Sequence, residues 1–387
     1  MCERLDVECN KNFQVKYIPH KLLVGGGPPN CSPGVLHALS QPPLSAVCEE
    51  LYLLIDEIQE MLRYVFQTTN KVTLGIQTSG TGGIEAALLN VVDPGETVII
   101  GVCGYWGTRL VQIAKRANIN VVEMKVEKAG TTFSLEELEK EIIKHKPVLL
   151  FLVHGESSLG VLQQLEGLGD ICHKHNCLLG IDAIASLGCV PLYVDRWKID
   201  IAVSSSNKAL RGPPGIAYLT FNPRAVNRIR SIKVKPPFYY DLLKLFDVWK
   251  CFDQHSIYYY TYNSNLLYAA REGLTEIAEE GISASCDKHK RLGKQLWVGL
   301  ENMGFEMMVK NPKDRLWTIT CVHLPNNLTW SEINDYLSSR YKLLLGPGIG
   351  PDSSRVVRIG IMGYNAREEV VQFLLDKLRE AILYYKK

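Results

Sequence analysis

The sequence predicts an α/β fold: a larger domain built on a mostly parallel sheet, followed by a smaller α+β domain. Three observations carry this reading. Between Val72 and Phe221, short β-rich runs alternate with amphipathic stretches of helical period. Most of those runs are apolar throughout, as strands covered on both faces must be. After about residue 255 the texture changes to long helices around a few short apolar runs.

Taken in chain order, "EELYLLIDEIQEMLRYVFQ" (49–67) has apolar residues at helical spacing, and "GGGPPN" (25–30) before it must be irregular. The runs "TLGIQ", "TVIIGV", "NVVEMKV", "PVLLFLV", "CLLGIDAIA" and "IDIAVSS" read as strands. "GGIEAALLNVV", "TRLVQIAKRA", "SLEELEKEIIKH" and "LEGLGDICHKH" read as the helices between them. Ser134 with Glu137 forms a capping box, and "DPGE" (93–96) marks a turn after Val92. Downstream, helices near 264–281, 283–303 and 366–385 flank "WTITCVHL" and "RVVRIGIM". The expected organisation is an N-terminal arm (1–24), a large domain (25–258) and a small domain (259–387), without internal repeats.

Composition narrows the function. The 387 residues are 46% hydrophobic and 22% charged, with 43 basic against 41 acidic residues and a net charge of +2. No block of like charge points to nucleic acid or a membrane surface, so the expected partner is a small molecule. The longest apolar stretches, such as "PVLLFLV", fall well short of a bilayer span. Eleven scattered cysteines suit reduced, mostly buried thiols. Glu3, Asp6 and Glu8 argue against a mitochondrial presequence, and Tyr385-Lys386-Lys387 does not match a peroxisomal signal, so the cytoplasm is expected.

The chemistry lies at the strand ends, where parallel sheets gather their ligands. Lys208 follows the run "DIAVSSSN", and Asp182 falls near the end of "CLLGID". Ionisable groups at the tips of apolar strands need compensation. They could pair with each other or reach solvent. Alternatively a ligand between them meets both needs. Pyridoxal phosphate does so, with an aldehyde for the lysine, a ring nitrogen for the carboxylate and a phosphate for backbone amides. "TSGTGG" (78–83) supplies a glycine-rich helix start for that phosphate, and Trp106 in "GYWGTR" a stacking face for the ring. A dinucleotide would also want such a turn. The segment is no clean G-x-G-x-x-G, however, and no ribose-binding acid ends the next strand. "CHKHNC" (172–177) invites a metal reading, but its spacing cannot bring all four side chains to one helix face, and no metal is expected. "NLT" (327–329) fits a glycosylation sequon without a secretory context to use it.

Over nearly its whole length, from "KLLVGGGPPN" through "VHGESSLGVLQQLEGLGDICHKHNCLLGIDAIASLG" and "SSSNKALRGPPG" to "WKCFDQ", "YYYT" and "RVVRIGIMGYNA", the chain resembles the alanine–glyoxylate, serine–pyruvate and 3-hydroxykynurenine aminotransferases. The resemblance implies a fold type I pyridoxal-phosphate enzyme with a seven-stranded, mostly parallel sheet. It implies that Lys208 bonds the cofactor aldehyde, Asp182 contacts the ring nitrogen, Trp106 stacks on the ring and Ser157 lies near it. Ser79, Gly80, Thr81 and Asn207 would hold the phosphate, with Tyr258 and Thr261 closing that site from the other subunit of a homodimer. Gly27, Ser45 and Arg358 match substrate positions, Arg358 as the clamp on the carboxylate.

The implied activity is ping-pong transfer of an amino group from a small or aromatic amino acid to a 2-oxo acid such as glyoxylate or pyruvate. Other readings are a lyase or decarboxylase on the same fold, or a catalytically weak binding homologue. Thr81 stands where the family usually has histidine and Asn207 where it has glutamine. Arg211 replaces a small or neutral residue, and Ala46 stands where the hydroxykynurenine enzymes have asparagine.

Overall fold

The structure is a computed structural model describing residues 19–252, 258–325, 328–349 and 355–385. Most of the N-terminal arm and Asn327 of the sequon lie outside the described residues.

The central sheet holds seven strands: β2 (Val72–Ile76), β3 (Thr97–Val102), β4 (Asn120–Lys125), β5 (Leu149–Val153), β8 (Leu178–Asp182), β9 (Ile201–Ser205) and β10 (Ala217–Phe221). Their order is β2-β10-β9-β8-β5-β3-β4. From β9 to β4 every pairing is parallel, whereas β10 runs antiparallel to both β2 and β9. Every residue of β2, β5, β8, β9 and β10 is buried, so both faces of the sheet are covered. β4, at the edge, mixes exposed and half-buried residues and has none that is fully buried.

Helices α1 (Pro33–Leu39) and α2 (Glu49–Phe66) pack against α9 (Ser264–Glu280). Around the sheet, α3 (Gly80–Val91) packs on β9 and β10, α4 (Tyr105–Arg116) on β3 and β4, α5 (Leu135–His145) on β3 and α6 (Leu168–Lys174) on β8. α7 (Pro223–Ser231) and α8 (Leu242–Val248) pack on β10 and β2. The box at Ser134 forms as expected: its hydroxyl accepts from the Glu137 amide while the Glu137 carboxylate accepts from the Ser134 amide. The DPGE turn closes through the Glu96 amide on the Asp93 carbonyl.

A two-stranded hairpin, β6 (Gly155–Glu156) with β7 (Val161–Leu162), extends beyond β5. The second sheet is antiparallel, in the order β11 (Glu306–Met307), β12 (Ile319–His323), β15 (Val356–Gly360), β14 (Gly346–Pro347). α10 (Ile282–Glu301), α11 (Trp330–Tyr341) and α12 (Glu368–Tyr385) accompany it, α11 being a helix that the sequence texture did not reveal. β1 (Leu22–Leu23) runs parallel to β13 (Leu343–Leu344), so the start of the described chain is stitched to the second sheet's domain. Accordingly Val24 is buried in that domain's core with Leu292, Val357 and Leu378, whereas Leu267, Leu274 and Ile277 of α9 belong to the larger core. A third apolar cluster, with Ala185, Cys189 and Ala209 against Leu316, Ile319 and Met362, joins the two.

Candidate active site

Five segments that leave the sheet at one edge, after β2, β3, β5, β8 and β9, build a single cavity of about 200 Å³. Asp182 is the last residue of β8, and Lys208 lies three residues beyond β9. Ser79 is the N-cap of α3, its hydroxyl accepting from the Gly82 amide at 3.3 Å. The next two amides, of Gly80 and Thr81, find no acceptor among the described residues, as the first turn of a helix leaves them free. Ser79, Gly80, Thr81 and Asn207 line the cavity, and so do Trp106, Ser157, Asp182 and Lys208. These eight residues span 130 positions of chain, and the fold brings them together.

The wall is orderly. Trp106 Nε1 donates to Ser157 Oγ at 2.7 Å, which fixes the indole in its plane. Asn207 Oδ1 accepts from Ser205 Oγ at 2.8 Å. Lys208 Nζ donates to the Gly26 carbonyl at 2.5 Å. Gly27 (φ +95°) passes so close that a Cβ there would sit 2.5 Å from Lys208 Nζ, so side chains are excluded both by space and by backbone. A Cβ on Gly26 would stand within van der Waals distance of the Arg358 guanidinium carbon, at 2.8 Å. Arg358 crosses from the second sheet, with Nε on the Pro347 carbonyl at 2.7 Å and Nη1 near the Ser157 carbonyl at 3.5 Å. No acidic side chain pairs with it among the described residues, so its charge is available to a ligand carboxylate.

Ser45, Tyr258 and Thr261 are not brought to the cavity within one chain. Ser45 is exposed in the loop before α2. Tyr258 is 57% exposed, with its hydroxyl 2.9 Å from that of Thr261. Arg211, despite its closeness to Lys208 in sequence, turns away: its guanidinium pairs with Glu276 and Glu280 of α9.

Burial sets the protonation of the two key groups. It pushes the Asp182 carboxyl up to about 7, against the pull of the Ile184 amide at 2.9 Å; Glu156 adds to the rise and Lys208 opposes it. Burial likewise brings the Lys208 amine down to about 8, helped by Arg358 and opposed by Asp182. A neutral amine is therefore populated a little above neutral pH, as a proton carrier requires.

Two residues that sequence reasoning missed also shape the site. Glu156 is fully buried, and its carboxylate accepts from the amides of Trp106 (3.1 Å), Gly107 (3.4 Å) and Ser158 (3.0 Å), so it caps α4 from a different element. A carboxylate inside "LFLVHGESS" was a signal that a buried partner had to exist. The second is Arg109, a turn beyond Trp106, which also lines the cavity. The CHKHNC segment ends α6 and enters β8, with His173 on Asp200 (3.1 Å) and His175 on Glu139 (3.0 Å).

An amine, a carboxyl group and an aromatic plate around one cavity, beside a glycine-opened helix start at the carboxyl edge of a parallel sheet, fit the fold type I architecture. The family model of the class-V aminotransferases matches residues 40–373. Alanine–glyoxylate aminotransferase of Callithrix jacchus is 43% identical over 371 residues, covering 96% of this chain and 89% of the relative. (S)-Ureidoglycine–glyoxylate transaminase of Bacillus subtilis is 31% identical, covering 94% and 91%. The crystal structure of an alanine–glyoxylate aminotransferase from Nostoc sp. superposes with a TM-score of 0.93 at 36% identity, covering 98% of this chain and all of that one. The chain belongs to the class-V aminotransferase family.

Proposed function

We propose that this protein binds pyridoxal phosphate and transfers the amino group of alanine, or of a similarly small amino acid, to glyoxylate. The observation that carries the proposal is the convergence of Lys208, Asp182, Trp106 and the start of α3 on one cavity. Glyoxylate appears in the names of the relatives from Callithrix, Nostoc and Bacillus, whereas their amino donors differ. The acceptor is thus the better supported half of the reaction. Serine, 3-hydroxykynurenine and pyruvate remain in the panel to be tested.

The residues present suit the cofactor. Gly80 opens a cradle that a Cβ would fill, since one there would stand 2.6 Å from Ile184 Cδ1. Lys208 would bond the aldehyde and Asp182 would face the ring nitrogen, with Trp106 and Ser157 against the ring. Ser79, Gly80, Thr81 and Asn207 would receive the phosphate. Bound there, pyridoxal phosphate supplies an electrophilic carbon and a ring that takes up electrons from the substrate's α-carbon. Asp182 keeps negative charge beside that ring. Lys208 Nζ accepts a proton and returns it, a role its lowered basicity favours. Arg358 takes the substrate carboxylate, and Gly27 leaves room for it to approach.

A homodimer belongs to the same proposal. Tyr258 and Thr261 are exposed within one chain and free to close the phosphate end of a second copy, and Ser45 is exposed in the same way. We also propose that the large domain runs through α9, whose buried side chains share its core, and that the small domain begins at α10. No helix among the described residues is long and apolar enough to cross a membrane. The nine described cysteines are free and seven are buried, which supports a reducing, cytoplasmic setting. The purified protein, given alanine and glyoxylate, should form pyruvate and glycine in equal amounts. Absence of exchange with every donor in the panel would defeat the proposal.

A further inference from the structure

We infer that Arg109 is the cation that holds the phosphate end of the cofactor. This rests on the proposal above, that the cavity takes pyridoxal phosphate. Among the described residues that line the cavity, the cations are Lys208 and Arg109. Lys208 is committed to the aldehyde end. Ser79, Gly80, Thr81 and Asn207 offer neutral donors only, and a phosphate taken out of water needs a compensating charge.

Arg109 is placed to supply it. It follows Trp106 by three residues on α4, so the two share a helix face. Thr81 and Ile84 share a face of α3 in the same way, and all four line the cavity. α3 and α4 pack against each other, and Arg109 lines the same cavity as the start of α3. Its guanidinium has no carboxylate partner among the described residues. Nη2 donates to the Tyr105 hydroxyl, the guanidinium carbon lies 5.3 Å from the centre of that ring, and the buried Nε finds no acceptor. Buried donors are nearly always satisfied, and a phosphate offers acceptors that match the guanidinium fork. Arg358 lies outside that lining, held by the carbonyls of Pro347 and Ser157.

The test compares two ligands that differ only in the phosphate. Full-length protein freed of small molecules is titrated with pyridoxal phosphate and with pyridoxal, following the quenching of tryptophan fluorescence. Arg109→Gln should weaken binding of the phosphate ester by about tenfold to a hundredfold, the loss of a charge-assisted bond, and leave pyridoxal unchanged. Arg109→Lys, which keeps the charge but loses the fork, should fall between. Equal losses for both ligands, or no loss for either, overturn the assignment. So does an intact phosphate preference accompanied by a raised KM for amino acids, which would move Arg109 to the substrate. If the unaltered protein binds neither ligand, the cofactor proposal itself has failed, and that outcome is read before any variant is made.

Discussion

Asp182 and Asp200 are both buried aspartates on the central sheet, at opposite ends of neighbouring strands. Asp182 closes β8 at the carboxyl edge; Asp200 immediately precedes β9 at the other edge. Around Asp200 the donors are many: the Leu179 amide at 2.7 Å, Asn222 Nδ2 at 2.7 Å, Arg224 Nη1 at 3.0 Å and His173 Nε2 at 3.1 Å. The Asp182 carboxyl accepts one hydrogen bond among the described residues, from the Ile184 amide, and it lines a cavity. The fold satisfies one carboxylate completely and leaves the other wanting a partner. The first fastens strands and helix together, while the second lines the cavity with acceptor capacity to spare.

Substitutions can break this contrast. The largest effect is expected at the amine beside Asp182: Lys208→Ala should lower turnover by about 10³-fold or more, with loss of the absorbance band of lysine-bound cofactor. Retained turnover would remove the catalytic edge from the comparison. Asp182→Asn, nearly isosteric, should reduce turnover by about 10²-fold, as removal of one preorganised charge does, while the protein stays folded. Asp200→Asn should do the reverse, lowering stability in chemical denaturation by about 3 kcal/mol with little change in turnover per folded molecule. If the two variants behave alike, the distinction is wrong.

The pH dependence sharpens the same point. In the cofactor-free protein the Asp182 carboxyl lies at about 7 against an ordinary 3.8, so the native state binds a proton that the unfolded chain has already released. Its contribution therefore favours the fold at low pH and is lost as pH rises from about 4 to about 7. Buried neutral His154 and His289, pushed down to about 3 and about 4, act in the opposite direction, weakening the fold as acid charges the unfolded chain. Asp182→Asn isolates the first effect. Its stability advantage over the unaltered cofactor-free protein should widen across that interval and level off above it. The smallest effect is reserved for a site that bonds neither aspartate and lines no part of the cavity: Ser134→Ala, at the capping box of α5, should cost about 1 kcal/mol and leave activity alone.

Much of this was legible in the sequence because it is local. The strand runs, the helix over 49–67 and the Ser134 box depend on spacing within a few residues. Lys208 and Asp182 were legible as charges at strand tips. What escaped depends on distant partners. Nothing in "AYLTF" says that β10 enters antiparallel between β2 and β9, or in "LL" at 22–23 that β1 pairs with β13. Arg211 is suspect by sequence and innocent by structure, since Glu276 and Glu280 come from a helix that begins more than 50 residues later. Glu156 and Arg109 matter through what faces them, which sequence spacing does not encode.

The pairing of β1 with β13 also bears on synthesis. The Gly26 carbonyl that receives Lys208 belongs to a stretch fastened by the Val24 amide on Leu344 and by the Gly360 amide on the Val24 carbonyl. A nascent chain can bury its central strands before the ribosome reaches residues 342–360, which supply the anchors of the stretch over the Lys208 amine. The cavity thus depends on segments from both ends of the described chain, and a translation product truncated before residue 342 retains the lysine without those anchors.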